Sequence, residues 1–140
     1  MRIYFDMCSL QRPLDDKTQL RVLLEAQAVL GVLALCESGK ADIVASEDAN
    51  PDSVRRDFAD QAIAKAALFI RISPPIKADA QKFIDAGIKP LDALHLASAI
   101  AAKADYLCTC DDRFLKKARP LDTKPTRIVL PLELVSELQT

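Results

Sequence analysis

A helix and then a strand are encoded by residues 90–112, which read PLDALHLASAIAAKADYLCTCDD. Pro90 suits the first turn of a helix, where its missing N–H is not needed. Apolar residues then recur at three- and four-residue steps, as on one face of a helix. Residues 105–110 follow with the composition of a strand, and the segment ends at Asp111 and Asp112, as a strand does when it enters a loop. The segment therefore predicts a helix, a strand and an acidic strand end in direct succession.

The rest of the chain alternates in the same way. We predict strands over residues 3–5, 43–45, 69–72, 105–110 and 127–130. We predict helices over 16–38, 53–68, 76–86, from 90 to 101, over 112–117 and over 131–138, with Gly39 in the left-handed conformation at a helix end and Pro74 ending the third strand. Strands separated by helices indicate a three-layer α/β/α protein with a parallel sheet. The length of 140 residues fits one domain, residues 1–140.

Charge and hydropathy exclude several classes of protein. Nineteen Lys and Arg residues against 20 Asp and Glu exclude a protein that binds nucleic acid through a strongly basic surface, although a local basic patch remains compatible. The first residues contain no long apolar segment, so we expect no signal peptide. The most apolar stretch, residues 28–36, is shorter than the roughly 20 residues that cross a membrane. We therefore expect a cytoplasmic protein that does not contact membranes, with its four cysteines reduced.

Three aspartates fall at positions where a ligand would bind. Asp6 ends the first predicted strand, Asp111 ends the fourth, and Asp92 lies in the first turn of the helix that begins at Pro90. Parallel α/β sheets bind ligands at the carboxyl ends of their strands, where strand order reverses. Carboxylates gathered there repel one another unless a cation such as Mg²⁺ or Mn²⁺ lies among them. Each acid also has a local explanation, as a turn or cap residue or as a favourable charge in a first helical turn.

Three segments together resemble the PIN-domain family. They are Asp6 after a short strand, the run PLDALHLASA at residues 90–99, and YLCTCDDRF at residues 106–114. The family includes metal-dependent ribonucleases, among them the toxins of bacterial toxin–antitoxin pairs. The resemblance implies the strand order 3-2-1-4-5 and cleavage of single-stranded RNA with Mg²⁺ or Mn²⁺. It also implies a small antitoxin protein and a second copy of the chain as partners.

The resemblance extends to individual residues. It implies that Asp6, Asp92 and Asp111 are the catalytic residues and bind the metal. The residues expected to contact the substrate are Thr109, Asp112, Arg113 and Lys116. The basic residues after Asp111 have an alternative role as the solvated side of a short surface helix.

The segment after the second strand departs from the family pattern. The family has a Ser or Thr at that strand end and a Glu about two turns into the following helix. Ser46 fits the strand end, but the next residues read EDANPD, and Pro51 would break such a helix. Glu47 is the best substitute as a fourth metal ligand. The departure keeps an alternative open, in which the chain is a catalytically weak or inactive PIN-fold protein that binds RNA or protein.

Other residues admit two interpretations. His95 lies three residues after Asp92 and either orients that acid or packs in the core, and we favour packing. Arg12 is a weak candidate for a phosphate contact, and a pair with Asp15 or Asp16 is the simpler interpretation. The leucines of residues 16–38 exceed what one face needs, so they cover the sheet or, in part, form a surface for a partner.

Two other enzyme classes of similar topology fit less well. A phosphoacceptor receiver domain needs an Asp after its third strand, and residues 69–73 contain none. A haloacid-dehalogenase-type phosphatase needs an Asp two residues after Asp6, where this chain has Cys8.

Overall fold

A computed structural model of the protein describes residues 1–6, 12, 18–46 and 68–138. The strands are β1 (Arg2–Phe5), β2 (Asp42–Ser46), β3 (Leu68–Ile70), β4 (Tyr106–Cys108) and β5 (Arg127–Val129). The helices are α1 (Leu20–Glu37), α2 (Pro74–Asp85), α3 (Pro90–Ala101), α4 (Asp112–Ala118) and α5 (Pro131–Leu138). The helix predicted over residues 53–68 lies outside the described residues, except for Leu68, which begins β3.

The five strands form one parallel sheet in the order β3-β2-β1-β4-β5. This confirms the α/β class and the order that the family resemblance implied. Strand order reverses beside β1, because β2 and β3 extend the sheet on one side and β4 and β5 on the other. Phe5 pairs with Cys108, so the ends of β1 and β4 are level and whatever follows them meets at one edge.

The sheet lies between two layers of helices. Ile3 and Phe5 contribute to one core cluster, in which they pack with residues of α1 and α5. Tyr4, which alternates with them, contributes to the other cluster, with residues of α2, α3 and α4. Successive side chains of a strand point to opposite faces, so this division is what a three-layer fold requires.

Helix α1 covers the sheet with a face that differs from the predicted one. It begins at Leu20, whereas the prediction was residue 16. Thr18 and Gln19 are not helical. Its buried residues are Glu25, Ala26, Ala28, Val29 and Val32. Leu20, Leu24 and Leu30 are exposed, so these leucines do not cover the sheet. Valine and alanine allow the helix to lie close to the strands, and of the leucines Leu33 packs at the margin of this core.

The helix ends follow the prolines and glycines. Pro74, predicted to end a strand, instead begins α2 together with Pro75, because a proline costs nothing in a first helical turn. Pro90 begins α3 as predicted. Gly39 has a φ of 84°, which confirms its predicted left-handed conformation at the end of α1.

Two further observations concern the sequence predictions on membranes and cysteines. In the part of the chain that the structure describes, every helix is too short or too polar to cross a membrane. Cys36, Cys108 and Cys110 are free thiols, whereas Cys8 lies outside the described residues.

Candidate active site

Asp6 lies at the carboxyl end of β1, beside the end of β4. Its backbone N–H donates to the Cys108 carbonyl oxygen at 3.2 Å, so the pairing of β1 with β4 continues one residue beyond the strand. Asp6 is only 2% exposed. Asp111 follows β4 at the same edge. The two acids thus flank the point where strand order reverses, as the sequence predicted.

Asp92 reaches this edge from helix α3. It occupies the first turn of that helix and is partly buried. Burial raises the pKa of Asp92 above its ordinary value, and the charges of Asp6 and then Asp111 raise it further, against the smaller opposing effects of His95 and Lys89. Charges affect a pKa in this way only when they are near. The structure therefore brings the three predicted acids within electrostatic reach of one another.

Asp111 is also the N-cap of helix α4. Its Oδ1 accepts hydrogen bonds from the backbone N–H groups of Arg113 at 2.9 Å and Phe114 at 3.2 Å. Both bonds end on Oδ1, so Oδ2 is the oxygen that a cation or water would contact. Asp111 can therefore be both a helix cap and a cation ligand, since capping fixes the carboxylate and leaves one oxygen available.

The donors at this edge suit a hard divalent cation, because they are carboxylate oxygens that repel one another. Their positions do not form a finished coordination shell. Over the described ranges, no group of three or more His, Cys, Asp or Glu side chains is arranged to hold a metal ion. Glu47, predicted as the fourth ligand, lies outside those ranges. The chemistry of the donors thus fits a hard divalent cation.

Thr109 does not contact a substrate. It is completely buried, and its hydroxyl oxygen accepts a hydrogen bond from the Asp111 backbone N–H at 3.1 Å. The prediction of substrate contact is corrected on this point, because a side chain without exposed surface has nothing to offer a ligand. Thr109 instead holds the turn that carries Asp111.

A network of charges that the sequence patterns did not indicate reaches this turn. Arg21 donates to both oxygens of Asp112, with Nη1–Oδ2 at 2.6 Å and Nη2–Oδ1 at 2.8 Å. Its Nε lies 3.5 Å from Oε2 of Glu25, and Nε of Arg12 lies 3.4 Å from Oε1. Arg21 holds the pKa of Asp112 below its usual range. The four-residue spacing of Arg21 and Glu25 on one predicted helix was the one signal in the sequence, whereas the contacts with Arg12 and Asp112 are not evident from spacing.

The predicted basic cluster divides into two parts. Lys117 donates to the Gly87 carbonyl oxygen at 2.9 Å, and Arg119 donates to both carboxylate oxygens of Glu133 at 2.7 and 2.8 Å. These two residues hold the fold together. Arg113 and Lys116 are exposed, and their side chains form no hydrogen bond or ion pair with described residues. They are the members of the cluster that remain available to a phosphate.

His95 packs in the core, as favoured above. It is 5% exposed, and its Nδ1 lies 2.6 Å from the Tyr4 hydroxyl. This buried hydrogen bond joins β1 to α3, two residues before Asp6 and three after Asp92. Sequence reasoning found no partner for this histidine, because Tyr4 is 91 positions away.

The comparison with family models agrees with this geometry. The model described as PIN domain matches residues 12–120. The match covers more than half of the chain, so the chain belongs to the PIN-domain family. PIN domains are generally nucleases and bind nucleic acid. Neither the curated proteins nor the solved structures gave a match.

Proposed function

We propose that this PIN-domain protein is a metal-dependent endoribonuclease that cleaves single-stranded RNA. The observation that carries the proposal is the convergence of Asp6, Asp92 and Asp111 at the carboxyl edge of the sheet, where burial and then the charges of the other two acids raise the pKa of Asp92. Repulsion between these carboxylates destabilises the fold, and such clusters are typical of sites that bind a ligand. The ligand that relieves it is a hard divalent cation, Mg²⁺ or Mn²⁺.

The roles of the residues follow from their surroundings. Asp6, buried at the end of β1, and Asp111, whose Oδ1 is fixed by the cap, would hold the cation from two strands, and Asp92 would hold it from α3. Glu47 is proposed as a fourth ligand. When bound, the cation supplies Lewis-acid polarisation of the phosphodiester.

The substrate contacts are proposed for the turn and first helical residues after Asp111. Arg113 and Lys116 are exposed, and Asp112 directly follows Asp111 in the same turn. A phosphate on either side of the cleaved bond would find positive charge there, which positions the chain without reading its sequence. This local patch suits a protein whose net charge is only −1.

A second candidate function is supported by one observation. Within residues 1–6, 12, 18–46 and 68–138, the acids are not arranged to hold a metal. A chain in which they cannot close around a cation would be an inactive PIN-fold protein that binds RNA or protein. Cation binding therefore distinguishes the two functions.

The test is calorimetry of Mn²⁺ binding to the wild type, Asp6→Asn and Asp92→Asn. We expect binding to the wild type and at least about tenfold weaker binding to both variants. Asp79→Asn is the matched control, because Asp79 is an exposed acid whose partner is Lys82 on the same helix. Equal affinity of all four proteins, or no binding to the wild type, would leave the inactive alternative. Cleavage of single-stranded RNA should stop with EDTA and return with Mn²⁺.

A cellular role is part of the proposal. We propose a cytoplasmic toxin, residues 1–140 forming one domain, that acts with a small antitoxin protein and associates as a homodimer. The exposed Leu20, Leu24 and Leu30 of α1 are where a partner would pack. Expression of the chain alone should slow growth, and Asp111→Asn should relieve the effect. Normal growth with soluble wild-type protein would contradict the toxin role and leave the fold unaffected.

A further inference from the structure

Glu25 is a buried acid with an unusual environment. It lies on the buried face of α1, one turn before Val29, and is 2% exposed. A carboxylate at such a position is costly unless it is paired. Oε1 lies 3.4 Å from Nε of Arg12, and Oε2 lies 3.5 Å from Nε of Arg21. With a guanidinium facing each oxygen, Glu25 is not a free ligand for a metal. It is an anchor for two arginines.

Arg21 extends from this anchor to another part of the chain. Its Nε faces Glu25, while its two terminal nitrogens donate to the two oxygens of Asp112 at 2.6 and 2.8 Å. All the nitrogens of the guanidinium are thus used, and the planar group is held from both sides. One side chain joins the first turn of α1 to the first turn of α4, across 91 positions of sequence.

The location of this connection relates it to the acids. Helix α1 links two parallel strands, so it runs antiparallel to them and begins at the edge where β1 and β4 end. Asp112 directly follows Asp111, whose Oδ1 is held by the Arg113 and Phe114 backbone N–H groups. Fixing Asp112 therefore fixes the backbone that carries Asp111 and the direction in which Oδ2 points.

We propose that Arg21, anchored on the buried Glu25, is a positioning residue that orients Asp111 for the cation through Asp112. This inference rests on the proposed function, since it concerns the same site. It adds two residues that neither the family resemblance nor the sequence patterns had indicated. Arg21 and Asp112 are about half exposed, and exposed pairs contribute little to stability. The consequence of the pair therefore lies in orientation.

The direction in which Arg21→Gln changes the Mn²⁺ affinity distinguishes a positioning role from a purely electrostatic effect. Arg21→Gln removes a positive charge near a cluster of acids, and that change by itself strengthens the attraction for a cation. Loss of orientation acts in the opposite direction, because outer-shell changes typically weaken metal binding by about 10- to 100-fold. We expect Mn²⁺ to bind Arg21→Gln about tenfold more weakly than wild type. Arg21→Lys keeps the charge and loses the planar fork, so its affinity should lie between the two.

Arg127→Gln is the matched control. Arg127 also donates to both oxygens of a carboxylate, that of Glu137, at 3.2 and 3.1 Å. Arg127 lies on β5 and Glu137 on α5, and the pair is similarly exposed. The same charge is removed, so Mn²⁺ affinity should stay within about twofold of wild type.

Amide hydrogen exchange provides a second readout that needs no metal. The N–H groups of Arg113 and Phe114 both donate to Asp111 Oδ1, and they should exchange several-fold faster in Arg21→Gln than in wild type. The corresponding amides should be unchanged in Arg127→Gln. Exchange rates equal to wild type would overturn the positioning role, whether or not the protein binds a cation.

The outcomes distinguish this inference from the proposed function. If Mn²⁺ binds the wild type and Asp92→Asn loses it, while Arg21→Gln binds as tightly or more tightly, the positioning role is wrong and the metal site stands. If the wild type itself does not bind Mn²⁺, the proposed function is wrong, and the role of Arg21 toward a metal is wrong with it. Weaker Mn²⁺ binding by Arg21→Gln and Arg21→Lys, together with faster exchange of the Arg113 and Phe114 amides in Arg21→Gln, supports the proposal.

Discussion

The two edges of the sheet use their acids in opposite ways. At the amino edge, Asp105 accepts a hydrogen bond through Oδ2 from the Arg2 backbone N–H at 2.8 Å, and the Arg2 side chain donates to the Ala102 carbonyl oxygen at 2.7 Å. At the carboxyl edge, Asp92 forms no such bond within the described ranges, and its nearest charged neighbours include Asp6 and Asp111. One edge satisfies its acid, and the other gathers acids that repel.

This difference shows where the protein sacrifices stability. An acid bound to a backbone N–H, as Asp105 is, holds the fold together. An acid whose pKa is raised by burial and by neighbouring acids, as that of Asp92 is, weakens the fold in the absence of a ligand, and this arrangement is typical of functional sites. Asp105 and Asp111 flank the same short strand, β4, so the contrast arises within a few residues and does not reflect general differences in composition.

The largest expected effect concerns cleavage. Asp6→Asn and Asp92→Asn at the carboxyl edge should each reduce the rate of RNA cleavage by at least about 100-fold. Mutation of residues that only support metal ligands typically costs about 10- to 100-fold, so loss of a ligand itself should cost at least as much. Asp105→Asn at the amino edge should leave the rate unchanged, since an amide oxygen still accepts from the Arg2 N–H. The measurement is the rate on a fluorogenic single-stranded RNA with Mn²⁺. Equal losses at both edges would mean that the acids support only the fold.

An effect of intermediate size concerns stability and its pH dependence. The folded-state pKa of Asp92 lies above its unfolded value, so its ionised form destabilises the protein, and stability decreases as pH rises from the unfolded pKa, about 3.9, through the folded pKa. In EDTA at pH 7, Asp92→Asn should melt about 2–5 °C higher than wild type. The gain should disappear near pH 4, where the wild-type carboxyl is protonated.

Saturating Mn²⁺ sharpens this measurement. A ligand stabilises only the protein that binds it, so the wild type should gain thermal stability and Asp92→Asn should not. Asp105→Asn is the control from the other edge, and it should follow the wild type in both conditions. A lower melting temperature of Asp92→Asn in EDTA at pH 7 would contradict the raised pKa.

The smallest expected effect concerns substrate binding. Lys116→Gln should raise KM for RNA about threefold and leave kcat unchanged, because a phosphate contact positions the chain without taking part in the reaction. The dependence of log affinity on log salt should decrease in slope by about 0.7, the value for one contact to a single strand. Lys103→Gln, beyond the end of α3 at the amino edge, should change neither quantity. If the dependence of log affinity on log salt in Lys116→Gln equals that of the wild type, Lys116 does not contact the RNA.

Much of the fold was predictable because it depends on local pattern. Alternating strands and helices indicated the layers, prolines and glycines marked helix ends, and Asp6 and Asp111 were identified as strand-end acids. The positions that went wrong depend on how an element is rotated. The leucines of α1 satisfied a helical pattern, yet Val29 and Val32 face the sheet, because only the packed structure decides which side of a helix fits closely.

The sequence by itself determined the order of the elements, the class of the fold and the three acids at the strand ends, since each depends on residues close to one another in the chain. The tertiary structure alone decided that Thr109 is buried, that His95 bonds to Tyr4, and that Arg21 connects Glu25 to Asp112. These facts join residues up to 91 positions apart. No local spacing encodes such contacts, because they exist only after the sheet has brought β1 and β4 together and fixed the helices against it.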